Sequence, residues 1–135
     1  MLLVDTNVLV DVATNNSEWA DWSLRQLDRW ALHTRLIANP VIYAELSIGF
    51  QRIDEVESFL ERTGVEIEEI SRRALFLAGK AFREYRARGG TKTGVLPDFF
   101  IGAHAVAEGI SLLTRDSRRY RSYFPTIMLI TPGDA

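Results

Sequence analysis

Short, unbroken apolar runs set between helical patterns constrain this fold most. The chain opens on Leu2-Leu3-Val4 and closes that run with Asp5, and Leu36-Ile37-Ala38 and Ser111-Leu112-Leu113-Thr114 repeat the pattern. Such runs do not alternate polar and apolar, so each reads as a strand covered on both faces. The stretches between them carry helical end signals. A short helix is expected over 7–13. A second should start at an N-cap formed by Ser17 with Glu18 and run to about Leu32, with Leu24, Leu27 and Ala31 on its inner face. Asn39-Pro40 supplies a cap and a first-turn proline for the next. A helix over about 54–62 should stop at Gly64, and Val65–Ile70 reads as a strand exposed on one face. Ser71 starts the longest helix, which ends near Gly89-Gly90. After a loop over 91–96, Pro97 opens another helix that Gly109 closes, and a last strand is expected near 127–130. Strand–helix alternation of this kind predicts an α/β fold, a parallel sheet with helices on both faces.

In such a sheet ligands sit beyond the carboxyl ends of the strands. Asp5 and Asp116 both follow predicted strands, and the right-handed crossover rule places their ends on one side. Two further acids stand in apolar surroundings. Glu45 interrupts the helix Pro40–Ile48, with Val41, Ile42, Ile48 and Gly49 three and four positions away. Asp98 follows Pro97 at the head of Phe99-Phe100-Ile101-Gly102-Ala103. Carboxylates so placed are costly unless neutralised, and the usual neutraliser of several together is a hard divalent cation such as Mg²⁺. Each acid taken singly has a structural alternative: Asp5 and Asp116 as caps or turn residues, and Asp98 as a charge complementing a helix dipole. Glu45 is the least easily explained that way, since no arginine lies within a helical turn of it. Asp11 reads as structural support, and His104 as a packed core histidine.

Composition narrows the classes. At 135 residues, 47% hydrophobic and 25% charged, the chain is expected to form one domain over 1–135. It has no cysteine, so disulfides and zinc–thiolate sites are excluded and a cytoplasmic location is expected. Two histidines, His33 and His104, do not make a histidine-rich metal site. No apolar run approaches the ~20 residues of a membrane span, and no secretory signal is evident. The net charge of −2 hides an asymmetry: residues 1–71 carry 5 Lys/Arg against 13 Asp/Glu, and residues 72–135 carry 11 against 5. Basic residues collected in one half suit a polyanion, although solvated helix faces would look the same.

The runs Val4-Asp5-Thr6-Asn7-Val8-Leu9, Tyr43-Ala44-Glu45-Leu46, Leu96-Pro97-Asp98-Phe99-Phe100-Ile101-Gly102-Ala103-His104-Ala105 and Leu112-Leu113-Thr114-Arg115-Asp116 together resemble the four motifs of a PIN domain. Size and motif order resemble the VapC toxin branch of toxin–antitoxin pairs, over Leu2 to about Tyr123. The glycine- and threonine-rich approach 89–94 departs from the pattern. The resemblance implies a three-layer fold with about five parallel strands and a Mg²⁺- or Mn²⁺-dependent endoribonuclease. It also implies a homodimer, restrained by a cognate VapB-like antitoxin whose C-terminal segment covers the site. Carried over by position, Asp5, Glu45, Asp98 and Asp116 form the acidic metal-binding and catalytic cluster. Asn7 and Thr114 orient it.

Metal-activated water needs neither a 2′-hydroxyl nucleophile nor a histidine base, so products with 5′-phosphate and 3′-hydroxyl ends are expected. Arg115, Arg118 and Arg119, which flank Asp116, are candidate contacts to the RNA backbone. Trp19, Trp22 and Trp30 read as packing or interface residues. Two rival readings remain. An aspartyl-nucleophile phosphotransfer protein would need a second aspartate where Asn7 stands, and a non-catalytic PIN-like RNA- or protein-binding module would not need the full acidic set.

Overall fold

The computed structural model describes residues 1–133; the last two residues of the domain expected over 1–135 lie outside the described residues. Five strands form one sheet: β1 (Leu2–Val4), β2 (Leu36–Ala38), β3 (Val65–Ile67), β4 (Ser111–Leu113) and β5 (Leu129–Ile130). Their order is β3-β2-β1-β4-β5 and every pairing is parallel. The helices between them are α1 (Thr6–Ala13), α2 (Ala20–Ala31), α3 (Pro40–Ser47), α4 (Ile53–Thr63), α5 (Arg72–Ala87), α6 (Leu96–Glu108) and α7 (Ser117–Tyr123). The expected α/β class is the observed one. From β1 the chain builds outward through β2 to β3, then crosses back to place β4 on the other side of β1. The order therefore reverses between β1 and β4, where Val4 pairs with Leu113. A crevice opens at such a reversal, beyond the carboxyl ends.

Local chemistry explains most element ends. The Asn39 side chain accepts from the Ile42 amide at 3.0 Å and starts α3, and Ser71 does the same for Ala74 at the head of α5. Gly64 and Gly109 end α4 and α6 at φ of 74° and 65°, which a side chain rarely tolerates. The main core packs both faces of the three inner strands, from Leu3, Val4 and Ile37 to Leu112 and Leu113, all inaccessible to solvent. A second, aromatic cluster joins α5, α6 and α7 through Phe99, Phe124, Phe82, Tyr85 and Tyr123. Helices α6 and α7 meet so closely that a Cβ at Gly102 would lie 2.4 Å from the Phe124 ring.

Three local expectations change. Helix α2 begins at Ala20 with Trp19 at its N-cap and no side-chain cap, and it is Asn16, not Ser17 with Glu18, that accepts from the amides of Glu18 and Trp19 in the turn before it. Its inner face is Ala20, Ser23 and Leu27, while Leu24 is 45% exposed and Ala31 is exposed. Strand β3 ends at Ile67 and buries only Val65. Where Asp116 reads as the cap of a turn through Arg118 and Arg119, residues 117–123 form α7 around the fully buried Tyr120.

Candidate active site

Asp5 is where β1 hands over to α1. Its Oδ1 caps the helix by accepting from the Thr6 amide at 2.7 Å. Its Oδ2 accepts from the Thr114 hydroxyl at 2.7 Å, with the Asn7 amide nitrogen 3.5 Å away. Thr114 follows β4, so this bond ties the ends of the two adjacent central strands. The Thr114 hydroxyl oxygen in turn accepts from Asn7 at 3.2 Å and from the Asp116 amide at 3.0 Å. The Asn7 side-chain oxygen accepts from the Arg115 amide at 3.2 Å. Asn7 and Thr114 thus hold the loop after β4 against the start of α1, with Asp5 between them.

Glu45 reaches the same place from α3, where its Oε1 accepts from the Thr6 hydroxyl at 2.6 Å. It does not lie on a fully apolar face: Ile42 is buried, but Ile48 is 86% exposed, and Glu45 itself is half-buried at the boundary. Asp98 points in from the first turn of α6, its side chain 14% exposed. Asp116 occupies the N-cap position of α7 without capping it. Asp5, Thr6, Asn7, Glu45, Asp98 and Arg119 line a cleft of about 330 Å³ that also touches Asp11 and Arg115. Asp116 does not line the cleft and joins it through Arg119, with which it forms an ion pair.

The electrostatics are those of crowded acids. Burial pushes the Asp5 carboxyl up to about 6, against the hydrogen bonds from Thr114 and Thr6 that favour its charged form, and the charge of Glu45 adds to the rise. Asp98 also rises to about 6, from burial and from the negative charges of Asp5, Glu45 and Asp116, against the pull of Arg119. Two fully buried polar atoms here have no hydrogen-bond partner, Oδ2 of Asp98 and the Tyr120 hydroxyl. The Asp98 oxygen lies 3.1 Å from Nη1 of Arg119, an ion pair whose N–H is not aimed at it. The Tyr120 hydroxyl sits close enough to Asp5 for each to shift the other's titration, but without hydrogen-bond geometry.

An all-oxygen donor set, mutual repulsion and an orphaned carboxylate oxygen fit a hard divalent cation in type. As the side chains stand, no three acids among the described residues converge tightly enough to form a finished cage. Arg119 spans Asp98 and Asp116 in that arrangement.

The other flagged residues fall into different roles. Arg115 makes a two-pronged pair with buried Asp11, at 2.6 and 2.9 Å, and its guanidinium lies over Trp19. Asp11 also accepts from Ser23 at 2.9 Å, so it braces α1, α2 and the loop after β4 as expected of a supporting acid. Arg118 is exposed. His104 is buried 3.1 Å from the Asn39 side chain, and burial holds its pKa below the ordinary value. Trp22 and Trp30 pack against the core, half-buried. Sequence reasoning missed Thr6 and Tyr120. Thr6 lay inside the first motif, and Tyr120 stands one helical turn past Asp116.

A model of the PIN domain matches residues 2–124. Among solved structures, the chain is similar to VapBC2 from Rickettsia felis bound to a DNA fragment from their promoter, with a TM-score of 0.73 and 22% identity, covering 96% of this chain and 97% of that one. A toxin–antitoxin complex from Klebsiella pneumoniae gives a TM-score of 0.70 and 21% identity over 100% of both chains. DNA-bound VapBC from Salmonella typhimurium gives 0.71 and 20% over 96% of both. No curated protein matches the sequence.

Proposed function

The chain belongs to the PIN domain family, and from that premise we propose that it is a metal-dependent endoribonuclease of the VapC toxin type. The observation that carries the reading is the meeting of Asp5, Glu45 and Asp98 in one cleft at the sheet's reversal point, with the Asp98 Oδ2 unbonded and two carboxyls pushed up to about 6. Asp5, Glu45, Asp98 and Asp116 would hold Mg²⁺ or Mn²⁺. When bound, that ion supplies an acidified water and charge stabilisation for the phosphate oxygens.

The chain's own residues do the rest. Thr114 and the Thr6 amide aim the Asp5 carboxylate, and the Thr6 hydroxyl aims Glu45. Asn7 keeps the β4 loop, and with it Asp116, in register. Ionised carboxylates near the attacked phosphorus orient and deprotonate water, which leaves a 5′-phosphate on one product and a 3′-hydroxyl on the other. Arg119 is the cleft's own cation and can turn to a phosphate once the acids have another counter-ion. Arg118 is the second candidate backbone contact; Arg115 stays engaged with Asp11.

The structural neighbours named above include toxin–antitoxin complexes, which supports a VapB-like antitoxin as partner. Exposed Leu32, Ile48, Ile53 and Phe76 offer apolar surface for that partner or for a second copy. No helix among the described residues is long and apolar enough to cross a membrane.

The test is cleavage of single-stranded RNA in Mg²⁺ or Mn²⁺ and its arrest by EDTA. Cleavage undiminished in chelator would exclude the mechanism. Binding without cleavage in every divalent ion would favour the non-catalytic RNA-binding module.

A further inference from the structure

A second cavity, of about 380 Å³, lies between the end of α5, the loop after it and the end of α7. The chemistry above does not use it. Its walls are Tyr85, Tyr123, Arg88, Lys92, Gly90 and Ser122, with Gly89 alongside. The loop is fastened to Tyr85 rather than hanging free. The Lys92 amide donates to the Tyr85 hydroxyl at 3.0 Å, and the Gly90 amide donates to the Tyr85 carbonyl at 2.9 Å. Gly90 lies against the ring so closely that a Cβ there would be 2.4–2.5 Å from its carbons. Only glycine allows that approach.

The aromatic wall is continuous with the active site. Tyr123 stacks on Phe99 at 4.3 Å and 24°, and meets Tyr85 edge-on at 5.4 Å. Phe99 is the residue after Asp98. On α7, Arg119 lines the acidic cleft and Tyr123, four residues on and on the same helix face, lines this cavity. Arg119 and Tyr123 are therefore about one helical turn apart along α7, one lining each cavity. The cavity's cations are uncompensated: neither Arg88 nor Lys92 has a carboxylate partner among the described residues.

We infer that this cavity is a nucleobase subsite, taking one unpaired base of single-stranded RNA against the Tyr85–Tyr123 wall while Arg88 and Lys92 hold the flanking phosphates. The inference rests on the ribonuclease reading of the neighbouring cleft. Tyrosine faces accept any base, and two unpaired cations beside them favour a polyanion over a neutral ligand. An unpaired base is required because a paired one cannot leave its stack to reach the wall.

The test uses the full chain and a fluorescent single-stranded RNA, with binding followed by anisotropy in EDTA across salt concentrations. Tyr123→Leu should weaken binding roughly tenfold, the loss of one stacked base. Arg88→Gln with Lys92→Gln, both at exposed positions, should lower the slope of log affinity against log salt by about 1.4, two single-strand phosphate contacts. With metal, the double variant should raise KM on long RNA and leave its kcat unchanged. An unchanged salt slope and KM in the double variant, with wild-type cleavage intact, would overturn the subsite and leave the nuclease reading standing. Equal affinity for blunt duplex RNA would overturn it too. A wild-type chain that neither binds nor cuts RNA would remove both.

Discussion

Asp98→Asn should stabilise the metal-free protein, and the gain should depend on pH. The Asp98 carboxyl titrates at about 6 in the fold against 3.8 in the unfolded chain. A raised carboxylate binds more protons folded than unfolded between those two values. Stability is therefore withheld above pH 6, and recovered as pH falls through 6 towards 3.8. The rise from 3.8 to about 6 corresponds to about 3 kcal/mol at pH 8, with the attraction of Arg119 already counted in it. The side chain is 14% exposed, so solvent screening takes little from this. An amide cannot ionise, so the variant escapes the penalty. It gives up a negative charge in the first turn of α6, worth about 0.5–1 kcal/mol. No hydrogen bond is lost at Oδ2, because none is made there. The balance is a gain of about 2 kcal/mol at pH 8, or a rise in Tm of roughly 6–8 °C for a chain of this size. Near pH 4.5 the gain should fall to about 1 kcal/mol, and it should vanish below pH 3.8. Thermal melts in EDTA at the two pH values give the answer directly. Mn²⁺ should then raise the Tm of the wild type more than that of the variant. A variant less stable at pH 8, or a gain equal at both pH values, would refute the account of the site as crowded, only partly compensated acid.

Asp5→Asn should behave differently although its carboxyl is raised to the same level. Both oxygens accept from donors, the Thr6 amide and the Thr114 hydroxyl, and Thr114 already accepts from Asn7 and Asp116. An amide must turn its NH₂ towards one of these, at a cost of about 1–3 kcal/mol that cancels most of the relief. Cleavage should vanish with a melting curve nearly unchanged, and wild-type cleavage by a well-folded variant would remove Asp5 from the site. Arg119→Ala should tighten Mn²⁺ binding severalfold, read by calorimetry or by the loss of the free-ion signal in electron paramagnetic resonance, because the competing cation is gone. Weaker binding would mean that Arg119 helps to build the metal site rather than competing for it.

Much of this was legible because its causes are local. Asn39-Pro40, Ser71, Gly64 and Gly109 act through their own backbone neighbours, so their helix ends could be read directly from residue type. Asp5 and Asp116 were expected at one edge because parallel strands joined by right-handed crossovers must align their ends. What was hidden depends on distant partners or on weak periodicity. Arg115 looked like a free basic residue, but it pairs with Asp11, 104 positions earlier. Helix α7 is short and carries its apolar side chains, Tyr120, Tyr123 and the C-cap Phe124, only towards its end among arginines and serines, so its periodicity is too brief to stand out in the sequence. Leu24 suggested an inner face that α2 gives to Ser23, whose hydroxyl reaches Asp11. Within the stretch 89–94, a departure from the family's pattern on sequence grounds, Gly90 has a physical reason in the Tyr85 ring and Gly89 in its φ of 90°.

Four carboxylates meeting near one cleft would be self-destructive without compensation, since two at 4 Å repel by about 4 kcal/mol at an effective dielectric of 20. This fold uses two devices against that repulsion. Burial raises Asp5 and Asp98 so that the cluster sheds charge as pH falls towards 6, and Arg119 lends one positive charge to Asp98 and Asp116. Neither device suits the other acids equally. Glu45 has only the Thr6 hydroxyl, and its half-buried position leaves it to water. The compensation is therefore partial, and it is concentrated on the α6–α7 side of the cleft. An arriving divalent cation meets the least opposition on the Asp5–Glu45 side and must displace a guanidinium to reach the far pair. An arginine brought by a protein partner would face the same geometry. It would find Asp5 and Glu45 unpaired by any basic side chain among the described residues, and Asp98 and Asp116 already taken.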